Sequence, residues 1–231
     1  MIYLTGDTHG RFDRIFTFCE ERNTSRDDIL IILGDAGINY HRGSRADRLK
    51  DSLKTLPITL LCIHGNHEQR PFSIDSYRER DWHGGKVYVE PQYPSLLFAK
   101  DGEIYDLDGK KAVAIGGAYS VDKFYRLIRH IAWYDNEQPS PEIKAYVESQ
   151  LEKAGWQVDY VLSHTVPLKY EPVEVFLPMI DQSEVDKSTE IWLGEIEEKL
   201  SYRRWYSGHY HTSKAIDRLR ILFEDYAVLG E

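Results

Sequence analysis

Several things are scarce in this 231-residue sequence, and each scarcity excludes a class of protein. It contains two cysteines, Cys19 and Cys62, in no metal-binding or redox spacing. A disulfide framework, a thiolate zinc site and a Cys-x-x-Cys centre are thereby excluded, and reduced thiols in a cytoplasmic protein are expected. The longest apolar runs, such as Ile29 to Leu33 and Leu60 to Ile63, are far too short to cross a bilayer. Gly6-Asp7 arrives before any apolar segment can develop, so no signal peptide is expected. No Pro/Gly/Ser-rich linker, charge block or low-complexity tract breaks the chain, and no internal repeat is long enough to be a unit. One domain over residues 1–231 is the expectation. Basic residues are outnumbered, 29 against 38 acidic, for a net charge of −9. That balance argues against a general nucleic-acid or membrane coat.

What is present is the composition of a soluble globular protein, 42% hydrophobic and 29% charged. The first third alternates strand and helix signals. Ile2 to Thr5, Ile29 to Leu33 and Ile58 to Ile63 read as buried strands. Phe12, Ile15, Phe16 and Cys19 carry helical spacing, and Ala46 to Leu56 reads as a second helix. Such alternation implies parallel pairing with right-handed crossovers. Lys86 to Glu90, Leu96 to Lys100, Glu103 to Leu107 and Lys111 to Ile115 are short strands between Gly, Pro and Asp turns, expected as a mostly antiparallel meander. Ser140-Pro141 opens a helix to about Ala154. Strand Val158 to Ser163, a helix from about Thr189 to Leu200, strand Arg204 to Ser207 and a last hairpin follow. The expected fold is α/β, a four-layer α-β-β-α sandwich of two mixed sheets with flanking helices.

Nine histidines in an acidic chain direct attention to where they sit. Five of the best strands end in metal-capable residues. They run out into Gly6-Asp7-Thr8-His9-Gly10, Gly34-Asp35, His64-Gly65-Asn66-His67-Glu68, Ser163-His164 and Ser207-Gly208-His209-Tyr210-His211. The carboxyl edge of an open α/β sheet is where ligands bind. Asp7, His9, Asp35, Asn66, His164, His209 and His211 offer seven oxygen and imidazole donors and no thiolate. Seven donors exceed the needs of one tetrahedral ion and suit two ions sharing a carboxylate. The mixture favours divalent transition metals, manganese foremost with Fe, Zn, Co or Ni as alternatives, over Mg or Ca. Gly6, Gly34, Gly65 and Gly208 are expected to let the backbone turn sharply as each ligand leaves its strand.

Gly-Asp-Thr-His-Gly at 6–10, Gly-Asp at 34–35, Gly-Asn-His-Glu at 65–68, His164 and Gly-His-Tyr-His at 208–211 resemble, in order, the five motifs of calcineurin-like metallophosphoesterases. The resemblance spans residues 5–212, and the motifs together form a specific signature. It implies that Asp7, His9, Asp35 and His211 hold one ion. Asp35, Asn66, His164 and His209 hold the second, with Asp35 bridging. It further implies in-line attack on a phosphate ester by a hydroxide between the ions, with His67 stabilising the phosphate and protonating the leaving oxygen. The chain departs from the pattern in one place. Many members read Gly-Asp-x-x-Asp, followed by Arg in the protein phosphatases, whereas here Gly34-Asp35-Ala36-Gly37-Ile38-Asn39 puts Ile38 where the second Asp belongs.

Arg11, Arg42 and Arg70, each close after a motif, are candidate replacements for the missing phosphate grip, and Lys123 and Arg126 are further substrate-binding candidates. Tyr119, Phe124, Tyr125, Trp133 and Tyr134, with Tyr170 and Phe176, offer either a stacking wall for a nucleobase or an aromatic lid or interface. The Glu-rich stretch Glu190 to Lys199 reads as a solvated helix face, and His41, His64, His83 and His130 read as structural. The expectation is a phosphoesterase acting on a small phosphorylated substrate, with diesters slightly favoured over monoesters. A protein or nucleotide phosphomonoesterase and a catalytically weak binding module are the alternatives. Two divalent ions would add about +4 to one cleft and make it attractive to phosphate despite the overall charge.

Overall fold

Alternate residues of one short strand show why the layers stack. Ile29, Ile31 and Leu33 enter one apolar cluster, while Leu30 and Ile32 enter another. A strand apolar on both faces is stable only between two layers. In the computed structural model, which describes residues 1–231, this pattern is realised in two stacked sheets. The first has seven strands. Parallel β1 (Ile2–Thr5), β2 (Ile29–Ile32) and β3 (Thr59–Cys62) are flanked by β6 (Leu96–Ala99), β5 (Gly85–Val89) and β4 (Arg78–Trp82) on one side, and by β13 (Tyr226–Val228) on the other. The second has six strands, ordered β11 (Lys214–Ile216), β12 (Leu219–Ile221), β10 (Arg204–Ser207), β9 (Tyr160–Ser163), β8 (Lys110–Ile115) and β7 (Ile104–Leu107).

Three apolar clusters fill the three gaps between four layers. The first lies between the sheets, where Leu4, Ile31 and Leu61 meet Ala112, Ala114 and Leu162. Small alanines on β8 let the sheets approach closely. The second cluster seats α1 (Asp13–Arg22) and α2 (Ser44–Leu53) on the first sheet through Ile15, Phe18, Cys19 and Leu53. The third seats α4 (Pro141–Lys153) and α5 (Ser188–Lys199) on the second sheet through Val147, Leu151, Trp192, Leu193 and Ile196. The Ser140 hydroxyl caps α4 by accepting from the Ile143 amide at 3.3 Å, and Pro141 takes the first helical position. The α-β-β-α sandwich of two mixed sheets is therefore the fold of this chain.

Several expectations need correction. The middle strands do not form one meander. β6 pairs in parallel with β3 and antiparallel with β5, whereas β7 begins the second sheet and pairs with β8. The chain leaves one sheet for the other at the turn Asp101-Gly102, so local turn chemistry could not reveal the split. β4 went unanticipated because it is an exposed edge strand without apolar alternation, and the short helix α3 (Lys123–Ile128) buries no residue. The last hairpin, β11–β12, is followed by β13, which crosses back to pair with β1. The helix over 188–199 is not simply a solvated face, since Glu190 and Glu197 are buried beside Trp192 and Leu193. No helix is long and apolar enough to cross a membrane.

Candidate active site

The site forms where β1, β2, β3, β9 and β10 run out into loops. Asp35 lies at its centre. Its backbone carbonyl accepts from the amides of Thr8 and His9 (3.2 and 2.8 Å), and its Oδ1 accepts from the His67 amide at 2.9 Å. Its Oδ2 lies 3.9 Å from ring nitrogens of His9, His67 and His164 alike. The Asp7 carboxylate, equally buried, accepts from the His209 amide at 2.9 Å through Oδ1. Arg14 of α1 fastens the end of β1, donating to the Thr5 hydroxyl at 2.6 Å and to the carbonyls of Gly6 and Asp7 at 3.1 and 3.2 Å.

Four of the donor residues hold left-handed backbone: His9 (φ 49°), Asp35 (45°), His209 (69°) and His211 (48°). Non-glycine residues occupy that region only where the surroundings enforce it, and such positions cluster at functional sites. The glycines work differently from expectation. Of Gly6, Gly34, Gly65 and Gly208, only Gly34 has positive φ, at 100°. A Cβ on Gly65 would strike the Asp35 carboxylate, and one on Gly208 would strike that of Asp7, so these two glycines permit close approach rather than a turn.

The polar atoms converge around one oxygen that has no donor. Asp7 Oδ2 is buried and has no hydrogen-bond partner. It lies 3.6 Å from His9 Nε2 and 3.4 Å from His211 Nε2, and those two nitrogens are 2.7 Å apart. His164 Nδ1 faces the Leu33 carbonyl at 2.8 Å, which assigns its proton to that nitrogen and leaves a lone pair on Nε2. That lone pair meets Asn66 Oδ1 at 2.8 Å, while the Asn66 amide nitrogen donates to Ser120 at 2.8 Å. An unpaired buried carboxylate oxygen is costly, and a divalent cation held between it and the neighbouring imidazoles relieves it. The donor set therefore fits metal. Asp7, His9 and His211 form one group of converging atoms, and Asp7, Asp35 and His164 a second. Tyr40 OH lies 2.5 Å from His9 Nδ1 and fixes that ring, as outer partners of metal-binding histidines do.

Electrostatics reflect the crowding. Burial, with the Asp7 charge adding, pushes the Asp35 carboxyl up to about 6. Burial also opposes ionisation of Asp7, but attraction to His211, 3.4 Å from its Oδ2, and to the surrounding imidazoles outweighs it and holds this carboxyl below the ordinary range. Burial lowers His9 to about 4 and, with the Arg126 charge nearby, His67 to about 3. The His9 and His67 rings are therefore neutral at pH 7, the state in which imidazole nitrogen can ligate.

Of the candidate substrate residues, Arg11 and Arg126 line a cleft of about 610 Å³ together with His9, His67 and His211. Arg126 is steered there by Asp122, whose two oxygens accept from its Nε at 2.9 and 2.8 Å. The other three point elsewhere. Arg70 is buried in an ion pair with Asp101 and donates to the Asn136 carbonyl at 2.7 Å. Arg42 donates to Gln69 at 3.1 and 2.8 Å, and Lys123 sits 4.3 Å above the Trp133 ring. Position in sequence after a motif did not decide reach.

Sequence reasoning missed Tyr40, Arg14 and Glu68. Glu68 is fully buried, accepting from the amides of Ala36 and Asn39 at 3.1 and 3.4 Å, and so braces the loop carrying Asp35. Its place in Gly-Asn-His-Glu was the available signal. Glu190 was missed as well. Burial pushes it up to about 7, well above the 4.5 of an ordinary glutamate. A folded-state pKa above the unfolded value means that stability is lost as pH rises from about 4.5 to about 7. Glu190→Gln keeps the acceptor for Thr165 and removes the titration. It is expected to raise stability at pH 8 by about 1–3 kcal/mol relative to its effect at pH 5, measured by denaturant unfolding.

The family model for calcineurin-like phosphoesterase matches residues 1–213, which contain every donor described above. The chain belongs to this family. A curated protein of Haemophilus influenzae, described as uncharacterized, is 28% identical over 120 residues, 52% of this chain but only 43% of that protein's length. The crystal structure of phosphopantetheinyl hydrolase (PptH) from Mycobacterium tuberculosis is 15% identical, with a TM-score of 0.49 over 96% of this chain and 87% of that one. A second solved structure reaches a TM-score of 0.51 at 11% identity, covering 96% and 88% of the two chains, and supports the same fold.

Proposed function

We propose that the chain is a two-metal phosphoesterase in which Asp7, His9, Asp35 and His211 hold one divalent ion and Asp35, Asn66, His164 and His209 hold the other. The observation that carries this reading is the partnerless buried oxygen of Asp7 facing two imidazole nitrogens that face each other. Manganese suits the mixed donors. When bound, the ions supply an activated water and positive charge for the phosphoryl oxygens. The chain's own residues do the rest. Asp35 and Asp7 set the centre, Tyr40 and the Leu33 carbonyl orient His9 and His164, and Arg126 and Arg11 face the incoming phosphate. His67, uncharged in the free site, would take up a proton beside the bound phosphate anion, whose charge favours the imidazolium; in that form it donates N–H to a phosphoryl oxygen and gives its proton to the leaving oxygen, returning to neutral imidazole. Buried free thiols support a cytoplasmic location.

A diester is the favoured substrate, because no arginine follows Gly34-Asp35 to grip a dianion and because His67 is flanked by two separate clefts. The test is metal analysis of the purified protein, then turnover of bis-p-nitrophenyl phosphate and p-nitrophenyl phosphate with added Mn(II). Faster diester turnover is expected. Faster monoester turnover would overturn the diester assignment and give Arg11 and Arg126 the role of gripping a dianion. No turnover of any phosphate ester by metal-loaded protein would overturn the reading itself. His67→Ala is expected to lower kcat by about 100-fold or more while leaving metal content unchanged.

A further inference from the structure

His67 stands between two clefts of opposite character. The cleft holding Arg11 and Arg126 is almost wholly polar. The other, about 410 Å³, shares His67, Asp122 and His211 with the first but is walled by apolar side chains, among them Val121, Val175, Phe176, Leu177 and Ile180. That size is within the range of pockets that enclose a small organic molecule. Phe176 stacks on Tyr210 with their planes 18° apart, so a flat aromatic surface lies directly beside His209 and His211. The wall is unusual in being exposed. Leu177 is 55% and Val175 41% accessible, on the stretch 173–188 leading into α5, none of whose residues is buried. Apolar side chains held at the mouth of a polar site, with no core to join, are explained by a ligand that covers them.

Glu171, Gln182 and Glu190 interrupt this wall with polar groups, and of these three Glu190 is the buried one. Glu190, 4% exposed, lines the cleft; its Oε1 accepts from the Thr165 hydroxyl at 2.8 Å, while its buried Oε2 has no partner. An unsatisfied buried carboxyl oxygen in a native fold calls for a bound partner. Resting on the phosphoesterase reading above, we propose that this second cleft is the specificity pocket for the alcohol portion of the substrate. It takes an aromatic or extended apolar body bearing a hydroxyl or N–H that pairs with Glu190 Oε2. The phosphoryl group lies at the metal-donor edge, and the charged or polar remainder of a diester points to Arg11 and Arg126. The burial of Glu190, which raises its pKa, suits pairing with a hydroxyl in either protonation state.

Calorimetric titration of Mn(II)-loaded protein with phosphonates, which cannot be hydrolysed as esters, tests this. Benzylphosphonate is expected to bind at least tenfold tighter than methylphosphonate, and 4-hydroxybenzylphosphonate about threefold tighter again. Leu177→Asp, a surface substitution that leaves the core intact, is expected to remove the first difference, and Glu190→Leu the second. Equal affinities for benzylphosphonate and methylphosphonate would overturn the apolar pocket, and an unchanged hydroxyl effect in Glu190→Leu would overturn the role of Glu190. Saturation-transfer NMR with 4-hydroxybenzyl alcohol, which has no phosphonate, separates this from the functional reading. Binding of the alcohol, lost in Leu177→Asp, supports the pocket even if no phosphonate binds and the phosphoesterase reading falls. Absence of alcohol binding overturns the pocket while leaving that reading intact.

Discussion

Asp35→Asn is expected to remove at least one equivalent of bound metal and to lower phosphoesterase turnover by roughly three to four orders of magnitude. The size follows from geometry. Asp35 Oδ2 lies 3.9 Å from each of three imidazoles, among them His9 of one proposed ligand set and His164 of the other. Losing a shared ligand weakens both proposed ions, whose joint stabilisation of transition-state charge is worth several kcal/mol, each 1.36 kcal/mol being tenfold in rate. Stability moves the other way in metal-free protein. Asp35 has a folded pKa of about 6 against 3.8 as a reference, so its stabilising protonated form is lost as pH rises from about 4 to about 6. At pH 8 in chelator, Asp35→Asn is expected to melt no lower than the parent protein, because the amide still accepts from the His67 backbone and no longer faces Asp7. With saturating Mn(II), the parent is expected to melt higher and the variant to gain less. A variant that lost activity but bound two equivalents of metal and melted identically would refute the bridging position.

The second large effect concerns the missing acid. Restoring the family's carboxylate as Ile38→Asp is expected to destabilise the protein by about 3–5 kcal/mol rather than improve catalysis. Ile38 is 1% exposed and packs in the cluster that holds Phe12, Ile15 and Leu53. A carboxylate there has no cationic partner and sits close to the loop already braced by buried Glu68. For a chain of this length, that loss lowers the melting temperature by about 6–20 °C. Ile38→Val is the matched control, at about 1 kcal/mol. Normal stability of Ile38→Asp together with faster turnover would show that the side chain can turn to His67, contrary to its packing. In this chain the loop after Asp35 is held from beneath by Glu68 and from within by Ile38, while Arg126 approaches His67 from α3.

The seven proposed ligands were legible in the sequence because each follows a short apolar run that ends abruptly in a glycine-containing or serine-containing polar motif. Both the run and its stop are local signals. Parallel pairing within β1–β2–β3 was legible for a related reason, since strands apolar on both faces and alternating with helices have few places to lie. Other features carried no local signal. β4 presents almost every side chain to solvent, and β6 and β7 differ little in pattern although they belong to different sheets. Arg70 and Arg126 look alike on paper; one is buried against Asp101 and the other is aimed by Asp122 into the cleft.

From its own residues the sequence determined that this is an α/β protein with oxygen and imidazole donors gathered at strand ends, and, through its motifs, which family it resembles. Periodicity and motif order are properties of neighbouring residues, so the chain displays them without folding. Only the tertiary structure decided that the donors converge around a partnerless Asp7 oxygen, that Glu68 and Ile38 support the Asp35 loop, and that an apolar cleft ending at Glu190 adjoins the site. Those depend on residues more than a hundred positions apart, such as His9 and His211, and on burial, which changes what a charge can do. The same glutamate that reads as a solvated helix residue becomes, once enclosed, a group with one unpaired oxygen beside the proposed reaction centre.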